Sequence, residues 1–173
     1  MANAYDVLVI GSGTGGYVAA IRAAQLGLRT ACVERAPVLG GTCLNWGCIP
    51  TKALLEHAHA LKIARDWQEW GLTLGEAAVG IDMARVQTRK DKIVKGLTGG
   101  IGMLFKKNKI EWIKGTARLL GKGAIEVTDA AGAQSGHRRQ GDHRGDRVVA
   151  AERSRDRLRL QADHHQHRGD EPA

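Results

Sequence analysis

The sequence predicts an α/β fold built on a doubly wound parallel sheet, and three features before residue 35 predict it. The first is an apolar run, Tyr5-Asp6-Val7-Leu8-Val9-Ile10, that ends at Gly11 and reads as a buried parallel strand. The second is a helical spacing of small and apolar residues, Val18, Ala19, Ala23 and Leu26, closed by Gly27 as a C-terminal cap. The third is another strand, Arg29-Thr30-Ala31-Cys32-Val33-Glu34, that ends on an acid. Strand, helix and strand in this order make a βαβ unit, the seed of such a sheet.

Further elements follow. From Thr51 to about residue 70 the pattern is helical, with Leu54, Leu55, Ala58, Leu61, Ile63 and Ala64 supplying an apolar face. A second helix is expected from Asp82 to about Leu97, resuming after Gly99-Gly100 to Lys107. Ile110 to Ile113 and Ala124 to Val127 read as short strands, punctuated by Gly115, Gly121 and Gly123. After Gly136 the character changes: no aromatic residue follows Trp112 and no lysine follows Lys122. That stretch is dense in Arg, His, Asp and Gly without a usable hydrophobic period, the composition of a disordered segment. We therefore expect residues 1–135 to be part of a nucleotide-binding domain and 136–173 to be a tail.

A chain of 173 residues can hold one domain with a proper core. Its formal charge of +8 raises nucleic acid as a partner. From residue 137 onward, however, nine arginines face seven acids, and no aromatic ring is there to stack on a base. The expectation is no nucleic acid. No apolar stretch approaches the ~18 to 20 residues that cross a bilayer, and the N-terminus lacks a secretory pattern. No membrane association and a cytoplasmic location are expected.

Gly11-Ser12-Gly13-Thr14-Gly15-Gly16 fits Gly-x-Gly-x-x-Gly between a strand and a helix. Gly11 permits the tight turn, Gly13 lets the backbone approach a pyrophosphate, and Gly16 allows close helix-to-strand packing. The helix N-terminus attracts the phosphate charge. Glu34 ends the second strand, where an acid accepts hydrogen bonds from ribose hydroxyls. Glycine triplets alone are weak, and an ordinary glycine-rich turn is the plainer alternative. With strand, helix and acid all in place, the pattern predicts a bound dinucleotide.

The three cysteines are Cys32, Cys43 and Cys48. Cys43 and Cys48 are five apart in Gly40-Gly41-Thr42-Cys43-Leu44-Asn45-Trp46-Gly47-Cys48-Ile49-Pro50-Thr51-Lys52. Two such cysteines can bridge at the irregular start of a helix, and a helix N-terminus lowers thiol pKa toward the thiolate needed for exchange. Gly40-Gly41 leaves room for backbone against a flat cofactor, and Lys52 falls on the same helix face as Cys48. Inert buried thiols or half a zinc site are the alternatives. Zinc would want four ligands, and neither Cys32, inside a strand, nor His57 and His59 gives a familiar spacing. No metal is expected. Cys32 reads as a core residue, and the two histidines as helix surface or packing.

The stretch from Gly40 to Lys52 resembles the redox signature of the pyridine nucleotide-disulfide oxidoreductases. Its Leu-Asn-x-Gly-Cys-Ile-Pro-Thr-Lys-Ala-Leu-Leu form resembles the dihydrolipoamide dehydrogenase branch more than glutathione or mercuric reductase. Residues 5 to about 133 fit the family in order, including the Lys114-Gly115-Thr116-Ala117 turn. The resemblance implies an incomplete Rossmann-like FAD/NAD(P)-binding domain. It implies that Gly11, Gly13, Gly16, Glu34 and Arg35 hold the adenosine diphosphate part of FAD, and that Gly41, Thr42, Lys52 and Gly115 hold the rest. Cys48 would be the thiol facing the flavin and Cys43 the one exchanging with dihydrolipoamide, with NAD as the final acceptor. The family's partners would be a lipoyl domain of a 2-oxo acid dehydrogenase complex and a second subunit of a homodimer.

A second flavin-contacting strand ending in Ala-Thr-Gly, an NAD domain and an interface domain donating a His-Glu pair are not readable in these residues. The tail offers an account. Asp142-His143-Arg144-Gly145-Asp146-Arg147-Val148 can be encoded GAT CAT CGC GGC GAC CGG GTC. Read one base later, with a following G, the same bases give Ile-Ile-Ala-Ala-Thr-Gly-Ser, the strand and turn that the resemblance puts next. Gln161 to Pro172, shifted the same way, permits Lys-x-Ile-Ile-Thr-Ser-Thr-Gly-Ala-Met-Ser-Leu. Two matches in one offset and the right order predict a frameshift near Ala133 to Gly136. On that expectation the chain binds FAD weakly, does not complete NAD-linked turnover, and tends to aggregate.

Overall fold

A computed structural model describes residues 3–73, 79–121, 123–139 and 148–150. The first apolar run forms two strands, β1 (Asn3–Tyr5) and β2 (Val7–Ile10), that belong to different sheets. Helix α1 (Thr14–Gln25) and strand β3 (Thr30–Glu34) complete the expected βαβ unit. A short helix α2 (Gly41–Asn45) precedes α3 (Cys48–Arg65) and the long α4 (Met83–Lys107). Strands β4 (Glu111–Lys114), β5 (Thr116–Gly121), β6 (Ala124–Thr128), β7 (Gln134–Arg139) and β8 (Val148–Ala150) follow.

The parallel sheet has the order β4-β3-β2-β8. Side chains of β2 and β3 alternate across it with period two, as a pleated strand requires. Val7, Val9 and Cys32 face a cluster with Ala20 of α1, Leu44 of α2, and Ile101 and Phe105 of α4. Leu8, Ala31 and Val33 face the other way, against Tyr5 and against Ile125 and Val127 of β6. A helical layer therefore covers one face, and a mixed second sheet, ordered β1-β7-β6-β5, covers the other. This is the α/β, Rossmann-like arrangement that the first strands predict.

Three findings differ from the expected elements. Helix α4 runs 25 residues without a break at Gly99-Gly100. Buried Val86, Ile101 and Phe105 anchor it on both sides of the glycines, so packing carries the helix past their poor propensity. Its N-terminus is capped by the Asp82 carboxylate, which accepts from the N–H groups of Ala84 and Arg85 at 3.0 and 3.1 Å. Strand β5 had no apolar alternation to announce it and forms because β6 pairs with it antiparallel. Strand β7 crosses the expected boundary at 135/136, and β8 lies beyond it. β7 is held from both sides, parallel to β1 and antiparallel to β6, and of Gly136, His137 and Arg138 only His137 is buried. Backbone pairing substitutes there for a hydrophobic period. Residues 140–147 and 151–173, with nearly all of both frame-shifted matches, lie outside the described residues.

Candidate nucleotide and dithiol site

The glycine loop leaves β2 at Gly11, whose φ of 89° is the left-handed conformation that glycine adopts without strain. Its N–H donates to the Val33 carbonyl at 2.8 Å, so the turn is stitched to β3. Gly13 caps α1 with extended backbone and no side-chain hydrogen bond. The first-turn N–H groups of α1 are thus left without a side-chain cap, as an anion site needs. Gly16 is buried in the first turn of the helix.

Glu34 is only 3% exposed, at the end of β3. Its Oε2 accepts from the Ser12 N–H at 2.8 Å and from the Ser12 hydroxyl at 2.6 Å, and its Oε1 accepts from the Ala36 N–H at 2.8 Å. Three donors hold the buried carboxylate, which explains how an acid is tolerated there. Arg35 follows on the surface and lines a cavity of about 520 Å³ with Lys114, Gly115, Thr116 and Asp129. Two of the expected site residues, Arg35 and Gly115, are therefore brought together. Lys114 and Asp129 join them; only the position of Lys114 beside Gly115 in the sequence signalled either. A larger groove of about 820 Å³ runs along α4, and its lining includes none of the expected site residues.

Gly115 has to be glycine. Its φ is 150°, and a Cβ there would lie 2.5 Å from the Thr128 carbonyl oxygen and 2.7 Å from Val127. Its N–H donates to the Glu34 carbonyl at 3.0 Å, fixing the point where the chain leaves one sheet for the other.

Cys43 sits in α2, and Cys48 is the first residue of α3. The turn between them closes on one atom: the Thr42 carbonyl accepts from the Trp46 N–H at 2.9 Å and the Gly47 N–H at 2.7 Å. A Cβ on Gly47 would come within 3.1 Å of that oxygen. Asn45 braces the other side, donating from Nδ2 to the carbonyls of Leu39 and Gly41, both at 3.0 Å. Pro50, in the first turn of α3, lacks an N–H where none is needed.

The turn brings the two thiols together. Hydrogen bonding to the Cys48 thiol, then burial and the charge of Cys48, push the Cys43 thiol above its ordinary value, while Lys52 pulls it down. The Cys48 N–H, at the start of α3, does lower the Cys43 thiol as expected, but the neighbouring Cys48 thiol and burial outweigh it. Lys52, exposed one turn into α3, is close enough to act on the pair. Cys32 stands apart in the core, its thiol pushed up to about 12 by burial and by Glu34. His57 donates from Nδ1 to the Ala53 carbonyl at 2.6 Å, within its own helix. Among the described residues no group of three or more His, Cys, Asp or Glu gathers as metal ligands would. Among them, too, no helix is long and apolar enough to cross a membrane.

A family model described as pyridine nucleotide-disulphide oxidoreductase matches residues 5–152, which takes in the glycine loop, the cysteine turn and β8. The chain belongs to this family. Among the pyridine nucleotide-disulphide oxidoreductases it is similar to dihydrolipoyl dehydrogenase of Rhizobium etli, at 54% identity over 127 residues, or 73% of this chain and 26% of that protein. Dihydrolipoyl dehydrogenase of Trypanosoma brucei brucei is 52% identical over 126 residues, 72% of this chain and 26% of that protein. The mitochondrial dihydrolipoyl dehydrogenase of Homo sapiens is 48% identical over 129 residues, 73% of this chain and 25% of that protein. The chain spans about a quarter of the length of the curated relatives it matches.

Proposed function

We propose that this chain is the FAD-binding, disulfide-bearing part of a dihydrolipoyl dehydrogenase. The observation that carries the reading is the cysteine turn, which pairs Cys43 with Cys48 at the start of α3 and sets Lys52 beside them. The described residues fit FAD. Gly11, Gly13 and Gly16 present an uncapped helix start to its pyrophosphate, Glu34 offers carboxylate lone pairs to a ribose, and Arg35 and Gly115 line a cavity at the end of β3. Gly41, Thr42 and Lys52 lie on the side of the cysteines, where the flavin end belongs. When bound, FAD supplies a two-electron acceptor for the reduced pair, and NAD is the onward acceptor in the whole enzyme.

The chain's own step is thiol–disulfide exchange. One thiolate of dihydrolipoamide attacks Cys43 of the oxidised pair, forming a mixed disulfide and releasing Cys48 as thiolate. The second substrate thiolate then displaces Cys43, giving the cyclic disulfide lipoamide. Two S–H bonds of the substrate are lost and two cysteine thiols are gained, so electrons and protons balance. Lys52 stabilises the negative charge left on the pair. Exposure of Cys48 and Lys52 leaves α3 open to a flat ring.

The natural donor is a lipoyl domain of a 2-oxo acid dehydrogenase complex, and the working assembly is a homodimer. We place the protein in the cytoplasm and read residues 136–173 as the product of a shifted frame. The relatives above align over 126 to 129 residues of this chain, while the family match runs on to residue 152. Sequencing the DNA across codons 125 to 173 decides that point. A continuous Ala-Thr-Gly-Ser strand in the next frame supports it, and its absence removes it.

The exchange is tested by oxidising the chain, adding dihydrolipoamide and counting free thiols. Two thiols should appear per chain. Cys43→Ser and Cys48→Ser should each abolish the gain. No gain in the parent chain would remove the proposed function.

A further inference from the structure

Ser12 is fully buried and lies inside the glycine loop. Its hydroxyl donates to Glu34 Oε2 at 2.6 Å and accepts from the Gly40 N–H at 3.2 Å, and its carbonyl accepts from that same N–H at 3.1 Å. Gly40 caps α2, three residues before Cys43. Its φ is 103°, and a Cβ there would press on Leu44 at 2.9 Å, so the loop is drawn tightly onto the helix. Asn45 then ties Leu39 and Gly41 to α2, and the Thr42 carbonyl ties α2 to Gly47. Hydrogen bonds therefore lead from Glu34 through Ser12 to Gly40, two residues of backbone carry the link to Thr42, and the Thr42 carbonyl carries it to the residue before Cys48. Among the described donors to Glu34, only the Ser12 hydroxyl also bonds the loop that carries the cysteines.

We infer that Ser12 is a positioning residue that ties the dinucleotide loop to the cysteine pair, so that a nucleotide bound at the loop changes the reactivity of Cys43. The inference rests on the dinucleotide reading of the glycine loop. A ribose hydroxyl donating to Glu34 competes with Ser12 for the same carboxylate. A Ser12 hydroxyl that no longer donates to Glu34 is free to rotate, which changes the bond it accepts from the Gly40 N–H and hence the hold on α2. Ser12→Ala removes this link together with one of the three donors to Glu34, while the Gly40 N–H keeps its bond to the Ser12 carbonyl.

ADP is the suitable probe, since it carries the pyrophosphate and ribose but no ring that reaches the cysteines. The experiment measures ADP binding by calorimetry, and the alkylation rate of Cys43 by iodoacetamide with peptide mass mapping, from pH 7 to 10. In the reduced parent chain, saturating ADP should change the Cys43 rate by about fivefold, the low end of ordinary coupling between sites. At whatever ADP occupancy calorimetry shows it to reach, Ser12→Ala should lose the change. Asn45→Ala, which cuts the next link, should lose it too, and it decides the matter if Ser12→Ala does not fold. A parent chain that binds ADP with an unmoved Cys43 rate overturns the inference, as does an effect that survives in both variants. A parent chain that binds no ADP instead removes the dinucleotide reading on which the inference stands.

Discussion

Burial, with the Glu34 carboxylate two residues on, pushes the Cys32 thiol up to about 12. In the unfolded chain the same thiol titrates near 9.0, so folding favours its protonated form. The stability this contributes is fully present below pH 9 and is lost as the pH rises toward 12. Urea midpoints measured from pH 8 to 10.5 should fall along an alkaline limb that is shallower in Cys32→Ala. Equal limbs would clear Cys32 of the effect. At this scale the site was unevenly legible. Gly11, Gly13, Glu34, Cys43, Cys48 and Lys52 announce themselves by residue type and spacing. Ser12 and Asn45 do not: Ser12 depends on the Glu34 carboxylate 22 positions away and the Gly40 N–H 28 positions away, and Asn45 on how the chain folds back on Leu39 and Gly41. A serine between two glycines looks the same whether or not Gly40 lies across from it. The upward shift of Cys43 was hidden for a similar reason: spacing announces a pair, not which partner dominates the thiol.

Between elements, Gly115 is the joint where β4 of the parallel sheet hands the chain to β5 of the mixed one. Gly115→Ala puts a methyl 2.5 Å from the Thr128 oxygen in a conformation L-residues avoid. It should cost at least ~1–3 kcal/mol in urea unfolding. A loss below that range would show that the joint can relax. Helix α4 gives the opposite case. A Cβ on Gly99 or Gly100 would meet nothing within 4 Å. Gly99→Ala and Gly100→Ala should each stabilise the chain by ~0.5–1 kcal/mol, seen as a higher Tm. No rise would mean that those glycines answer to a contact outside this chain. The βαβ unit was legible because periodicity, capping and a terminal acid agree in it. The continuous α4 and the strands β5, β7 and β8 were not. Their formation depends on partners remote in sequence, and β7 has almost no apolar side chain to declare it.

For the whole molecule, the two sheets and the helical layer make a Rossmann-like α/β body, while the 173 residues contain one Gly-x-Gly-x-x-Gly run. With a single such run, we expect the purified chain to exchange thiols with dihydrolipoamide yet produce no NADH in the presence of FAD and NAD. Absorbance at the reduced nicotinamide band checks this, and a steady rise would refute it.

The pairing of β2 with β8 joins Leu8 to Val148, residues 140 positions apart. On a ribosome adding ~5–20 residues per second, the inner edge of β2 therefore waits roughly 7 to 28 seconds for its neighbour to be made. Through that interval an apolar strand with unpaired N–H and C=O groups lies open to any other nascent chain. The order of strands in the finished sheet thus sets a timetable, and the first strand synthesised is among the last to be closed.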